Sequence, residues 1–120
     1  MARAIGMVEC TTVSTGFKAA DEMAKAADVE ILQAEVTCPG KFVILVAGEL
    51  SAVRASVDVA ASKYSNKVMD TFVLGNPHES IFPAIYGTAQ PEKIEALGIL
   101  ETYDAVSYTH LRAHETELHL

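Results

Sequence analysis

Near its start the chain carries a run of eight residues that returns 92 positions later. Ala4-Ile5-Gly6-Met7-Val8-Glu9-Cys10-Thr11 is echoed by Ala96-Leu97-Gly98-Ile99-Leu100-Glu101-Thr102-Tyr103, with Ala, Gly and Glu identical and the positions between them kept apolar. A period of that length is a whole small domain, not a short solenoid repeat. It predicts a complete domain over residues 1–76, a linker with a short helix over 77–95, and the first strand of a second, truncated domain over 96–106. The remaining stretch, 107–120, does not follow the first copy and holds three of the four histidines. It is expected to be a non-native tail, similar to translated adapter read-through. On a helix His110, His114 and His119 would share a face, but no carboxylate or cysteine scaffold accompanies them, so the tail reading is preferred to a metal site.

Composition bounds the function classes. Half of the 120 residues are hydrophobic and 21% are charged, which suits one globular core. The net charge of −7, without any basic stripe interleaved with aromatics, argues against nucleic acid and against acidic membranes as partners. No signal-like leader and no spanning apolar run is present, so a cytosolic protein is expected. Two cysteines, Cys10 and Cys38, are too few for a disulfide framework. Cys10 lies in a strand pattern and is expected to behave as a small buried hydrophobe.

Periodicity then sets the architecture. Residues 4–10 form a compact apolar run that suits a buried strand. Phe17, Ala20, Met23, Ala24 and Ala27 recur at helical spacing, with Ser14 or Thr15 as the expected N-cap. Residues 29–37 alternate as Ile31, Gln33, Glu35 against Leu32, Ala34, Val36, and 42–47 is a continuous apolar partner strand. A second helix over 51–64 places Val53, Val57, Ala60, Ala61 and Tyr64 on one face. A strand over 68–74 closes the unit, and a short helical segment follows over 79–86. The order β-α-β-β-α-β predicts an α+β, ferredoxin-like split βαβ fold, an antiparallel sheet with helices on one face. The other face is expected to lack any cover within the chain, which points to assembly.

The hairpin tip is the most distinctive local feature. In Thr37-Cys38-Pro39-Gly40-Lys41, Pro39 presets φ for the second position of a type II turn and Gly40 accepts the positive φ of the third. Cys38 is therefore expected at the tip, either as a free surface thiol or as a ligand. Lys41 beside it is either an anion-attracting charge or an ordinary solvated lysine.

The segments Ala4-Ile5-Gly6-Met7-Val8-Glu9, Gly16-Phe17-Lys18-Ala19-Ala20-Asp21-Glu22-Met23 and Gly48-Glu49-Leu50-Ser51-Ala52-Val53 resemble the shell domain of bacterial microcompartments. The resemblance covers residues 2–105, and the duplicated opening is similar to the tandem-domain subclass, whose members form pseudohexameric trimers. The tip through Phe42 resembles the tandem shell proteins of propanediol-utilisation compartments that hold an iron–sulfur cluster in a central pore. The resemblance implies a homo-oligomeric, trimeric tile in a microcompartment shell within the cytoplasm, packed beside other shell proteins and with no catalytic residues. It also implies a pore lined by Cys38, Pro39, Gly40 and Lys41, which conducts electrons or metabolites. One 4Fe-4S cluster per trimer would be held through Cys38, because a three-fold axis presents a lone thiolate three times.

Two readings from other classes stand beside this one. A trimeric ferredoxin-like regulator would bind a small ligand between subunits, and it needs a basic flexible loop that the sequence lacks. An enzyme with Cys38 as nucleophile needs a base and a cleft. His78, after Asn76-Pro77, is expected to serve a turn or helix start, not acid–base chemistry. Glu9 and its counterpart Glu101 are expected to be structural, capping a backbone group or pairing across subunits.

Overall fold

A computed structural model describes residues 3–37, 40–88, 90 and 93–99. The elements run in the order β1 (Ala4–Cys10), α1 (Val13–Ala26), β2 (Glu30–Thr37), β3 (Lys41–Gly48), α2 (Leu50–Lys63), β4 (Val68–Gly75) and α3 (Ile81–Ile85). They form one four-stranded sheet with strand order β2-β3-β1-β4, and every neighbouring pair is antiparallel. This is the split βαβ topology expected from the element order, with both long helices on one face.

That face is dry. Ala4, Val8 and Cys10 of β1 and Phe42, Ile44 and Val46 of β3 pack against Ala19, Ala20 and Met23 of α1 and Val53, Val57 and Ala60 of α2. Alternate residues of a strand share a face, so the fully apolar run of β3 serves both sides of the sheet. Small residues set the spacing. A Cβ at Gly6 would lie 2.7 Å from Val53 Cγ1 and 2.8 Å from Val57 Cγ2, so α2 rests directly on the bare backbone of β1.

Both helices differ in detail from the sequence expectation. The N-cap of α1 is Thr12, not Ser14 or Thr15, and its Oγ1 donates to Thr15 Oγ1 at 2.9 Å instead of capping a backbone N–H. The buried face of α1 is Gly16, Ala19, Ala20 and Met23, whereas Phe17 and Ala24 are exposed. Gly16 causes this rotation, since it is the one position at which the helix backbone can sit on the Phe42 ring. In α2, Ser56 is fully buried and donates to the Met23 carbonyl at 3.0 Å, a cross-helix tie that a purely apolar pattern omits.

The alternation of β2 is also corrected. Ile31 pairs with Val46 and Gln33 with Leu45, so Leu32 is the extra residue of a bulge. Beyond it the faces exchange: Ile31 joins Ala34 and Val36 on the helix side, while Leu32 packs with the opposite cluster.

That opposite face is not bare. Ile5, Leu45 and Ala47 are buried there beneath a cluster that includes Ile81, Phe82 and Ile85 of α3. Arg3 stacks over the Phe82 ring at 4.7 Å and pairs with Glu30 at 2.9 Å, and Gln33 Nε2 donates to the Ile85 carbonyl at 3.4 Å. A five-residue helix can cover a sheet face only in part, and Ile81, Phe82 and Ile85 all keep some exposure.

Candidate functional site

The connection between β2 and β3 is built from both ends. Val36 pairs with Phe42 and Thr37 with Lys41, and Gly40 enters β3 from a turn. Gly40 has φ +78°, and nothing stands within 4 Å of the position its Cβ would occupy. Its glycine is a matter of backbone conformation and not of crowding, as the sequence expectation for this turn required. Lys41 opens β3 and is half-buried. Cys38 and Pro39 lie outside the described residues.

Behind the tip stands an aromatic anchor that sequence reading missed. Phe42, directly after Lys41, is fully buried. A Cβ at Gly16 would lie 2.3 Å from two of its ring carbons, so α1 presses its backbone onto the ring. The Phe17 ring also packs against it, at a centroid distance of 5.0 Å and a tilt of 48°. A glycine inside a helical pattern was the available signal, because its cost of about 1 kcal/mol relative to alanine usually has a packing reason.

The other candidates separate from the tip. Cys10 is fully buried, and burial pushes its thiol up, with the Glu9 charge adding to the effect. A thiol so placed is inert packing and does not supply a thiolate ligand. Glu9 is buried on the α3 side of the sheet, opposite Val43 and Asp70 in the register. Its carboxylate is enclosed within a single chain before any neighbour arrives. His78 starts the α3 segment: its Nδ1 accepts from the Ser80 N–H at 3.1 Å and its carbonyl accepts from the Ile81 N–H at 3.0 Å. Among the described residues, no group of three His, Cys, Asp or Glu side chains could hold a metal ion, and no helix is long and apolar enough to cross a membrane. Glu101 and the tail histidines lie outside the described residues.

The complete βαββαβ unit has a counterpart among known families. The model of the BMC domain matches residues 4–77. The chain belongs to the BMC-domain family of bacterial microcompartment shell proteins. It is 36% identical over 107 residues to the microcompartment shell protein PduT of Citrobacter freundii, a match covering 89% of this chain and 58% of that protein. It is 30% identical over 94 residues to the carboxysome shell protein CsoS1C of Hydrogenovibrio crunogenus, covering 75% of this chain and 92% of that one. A crystal structure of a microcompartment protein from Desulfitobacterium hafniense DCB superposes with a TM-score of 0.71 at 37% identity, over 78% of this chain and 52% of that chain. The chain thus spans little more than half the length of PduT and of that solved protein. A BMC domain is a structural unit of shells and not an enzyme, so neither the ligand-binding regulator nor the Cys38 nucleophile is favoured.

Proposed function

We propose that this BMC domain is half of a tandem-domain shell subunit, three copies of which form a pseudohexameric tile in a microcompartment shell within the bacterial cytoplasm. The match of the BMC domain to the whole βαββαβ unit carries the reading. The tandem arrangement is supported by the recurrence of the opening strand. Ile5 is 4% exposed in β1, whereas its counterpart Leu97 is 82% exposed and Ile99, the counterpart of Met7, is 87% exposed. An apolar strand sequence left uncovered calls for a second sheet of the same design. Other shell proteins are the partners at the tile rim.

In this reading residues 38–41 ring the central pore of the tile, and the three Cys38 thiolates together would hold one 4Fe-4S cluster per trimer. The donor set fits that group only through symmetry. Cys10 is withdrawn into the core, and the described residues assemble no metal-binding group, so within this domain Cys38 is the candidate thiolate. Three thiolates about a three-fold axis leave one iron position for a non-protein or exchangeable ligand. Bound there, the cluster supplies one-electron transfer across the shell. The chain's own part would be to present the tip, and the positive φ of Gly40 and the Thr37–Lys41 pair at the start of β3 support that role.

Iron and sulfide analysis with EPR of the anaerobically purified full-length protein tests this reading. About four irons per three subunits, lost in Cys38→Ser, is the expected result. Iron retained in that variant, or absent from the parent protein, contradicts the cluster.

A further inference from the structure

The ties that hold α3 to the sheet converge on the bulged end of β2, and they are independent of the tile and of the cluster. A bulge turns two neighbouring residues to one side of a strand. Here Leu32 joins the α3 cluster and Gln33 Nε2 donates to the Ile85 carbonyl at 3.4 Å, while Glu30, opposite Ala47, shares that side. Glu30 is joined to α3 through Arg3, whose Nη2 donates to Glu30 Oε2 at 2.9 Å while the guanidinium stacks 4.7 Å from the Phe82 ring centroid. The planar fork of arginine presents its face to the ring and its edge to the carboxylate at once. The α3 segment is also closed on itself. His78 accepts from the Ser80 and Ile81 N–H groups at its start, and the Pro83 carbonyl accepts from the Thr88 N–H and hydroxyl at its end. Asn76 at φ +52° precedes the segment, and Gly87 at φ +71° lies in its closing turn.

We propose that α3 is a releasable strap latched by Arg3, and that it opens and closes as one unit with the bulged segment 30–33 of β2. Each fastening is weak by itself. The Arg3 and Glu30 side chains are 44% and 64% exposed, Ile81, Phe82 and Ile85 are half-buried, and the Gln33 hydrogen bond is long. β2 is an edge strand with β3 as its one neighbour in the sheet, and its pairing skips a residue at this end. Local opening is drawn from segments of this kind, with few buried contacts and exposed hydrogen bonds. Opening uncovers Ile5, Leu45 and Ala47, which the closed strap keeps buried. Because the latch includes an exposed ion pair, ionic strength controls it: the screening length falls from about 10 Å at 0.1 M salt to about 3 Å at 1 M.

Amide hydrogen exchange in the full-length protein tests the strap, read at residues 84–88, at 30–33 and, for reference, in α2. In Arg3→Gln, exchange is expected to quicken about five-fold at both 84–88 and 30–33 while α2 keeps its protection. Phe82→Leu changes α3 alone, and it is expected to quicken the same two segments about three-fold, so that a substitution in the strap is felt in β2. Raising salt from about 0.1 M to about 1 M is expected to quicken both segments about two-fold in the parent and to leave Arg3→Gln unmoved. Unchanged exchange at 84–88 in Arg3→Gln, a rise there without one at 30–33, or an equal rise in α2 overturns the proposal. A salt response in Arg3→Gln equal to that of the parent removes Arg3 as the latch and overturns it as well. Iron content does not enter these readings, so the strap and the cluster stand or fall separately.

Discussion

The two faces of the sheet are covered by different means. On one, α1 and α2 approach so closely that Gly6 and Gly16 leave no room for a Cβ, and Ala4, Val8, Cys10, Phe42, Ile44 and Val46 are nearly or fully buried. On the other, a five-residue helix is tied by one cation–π contact, one long hydrogen bond and a small apolar cluster over Ile5, Leu45 and Ala47. The first arrangement resists any change of volume because a close-packed interior cannot absorb an added methyl group. The second tolerates loss, since Ile81, Phe82 and Ile85 of α3 are only half-buried and can be rehydrated. Stability therefore resides on the helix face, and the α3 face is the part of the domain with freedom to adjust.

The largest effect expected from this contrast is at Gly16. Gly16→Ala places a methyl group against the Phe42 ring and near Phe42 Cβ, so relief requires backbone movement. A loss of about 3 kcal/mol is expected in denaturant unfolding. Gly6→Ala meets the Cγ atoms of Val53 and Val57, which are stiff at χ1, and a loss of about 2 kcal/mol is expected by the same measurement. A Gly6→Ala protein as stable as the parent would break the claim that this face is closed. On the α3 side, Phe82→Ala removes the ring beneath Arg3 and is expected to cost only about 1 kcal/mol, with hydrogen exchange rising in residues 81–85 and not in α2. A cost equal to that of Gly16→Ala would erase the distinction between the faces.

The smallest effect is in the alkaline limb of stability. Burial raises the Cys10 thiol above its ordinary 9.0, so the folded state holds the proton where the unfolded state releases it. The associated stability is complete below about pH 9 and declines as pH rises through the interval between the unfolded and folded values. Cys10→Ala is expected to flatten that decline above pH 9 relative to the parent, in parallel urea titrations.

Much of the architecture was legible because its signals are local. The continuous apolar run of β3, the seven- and eight-residue offsets in α2, and the turn chemistry of Gly40 report directly on burial and backbone conformation. The misreadings have physical causes. The Leu32 bulge reverses the alternation of β2, and nothing in a period-two pattern marks where a residue is skipped. The short helix expected over 79–86 is present as α3, but its docking onto the sheet face is a tertiary fact that its sequence does not announce, although Ile81, Phe82 and Ile85 are the apolar signature of that contact. Gly16 was read as a part of the family resemblance and not as a contact, because close approach is a tertiary fact. The ligand role proposed for Cys38 is legible least of all: its companions would come from other copies of the same chain, where no spacing in one sequence records them.

The central claim is a three-fold tile with its cluster at the axis, and native mass spectrometry of the anaerobically purified full-length protein addresses it most directly. The account predicts a trimer whose mass includes one iron–sulfur cluster, beside a Cys38→Ser trimer without it. A monomer in both samples would contradict the tile, and a trimer that carries the same added mass in both would contradict Cys38 as its ligand.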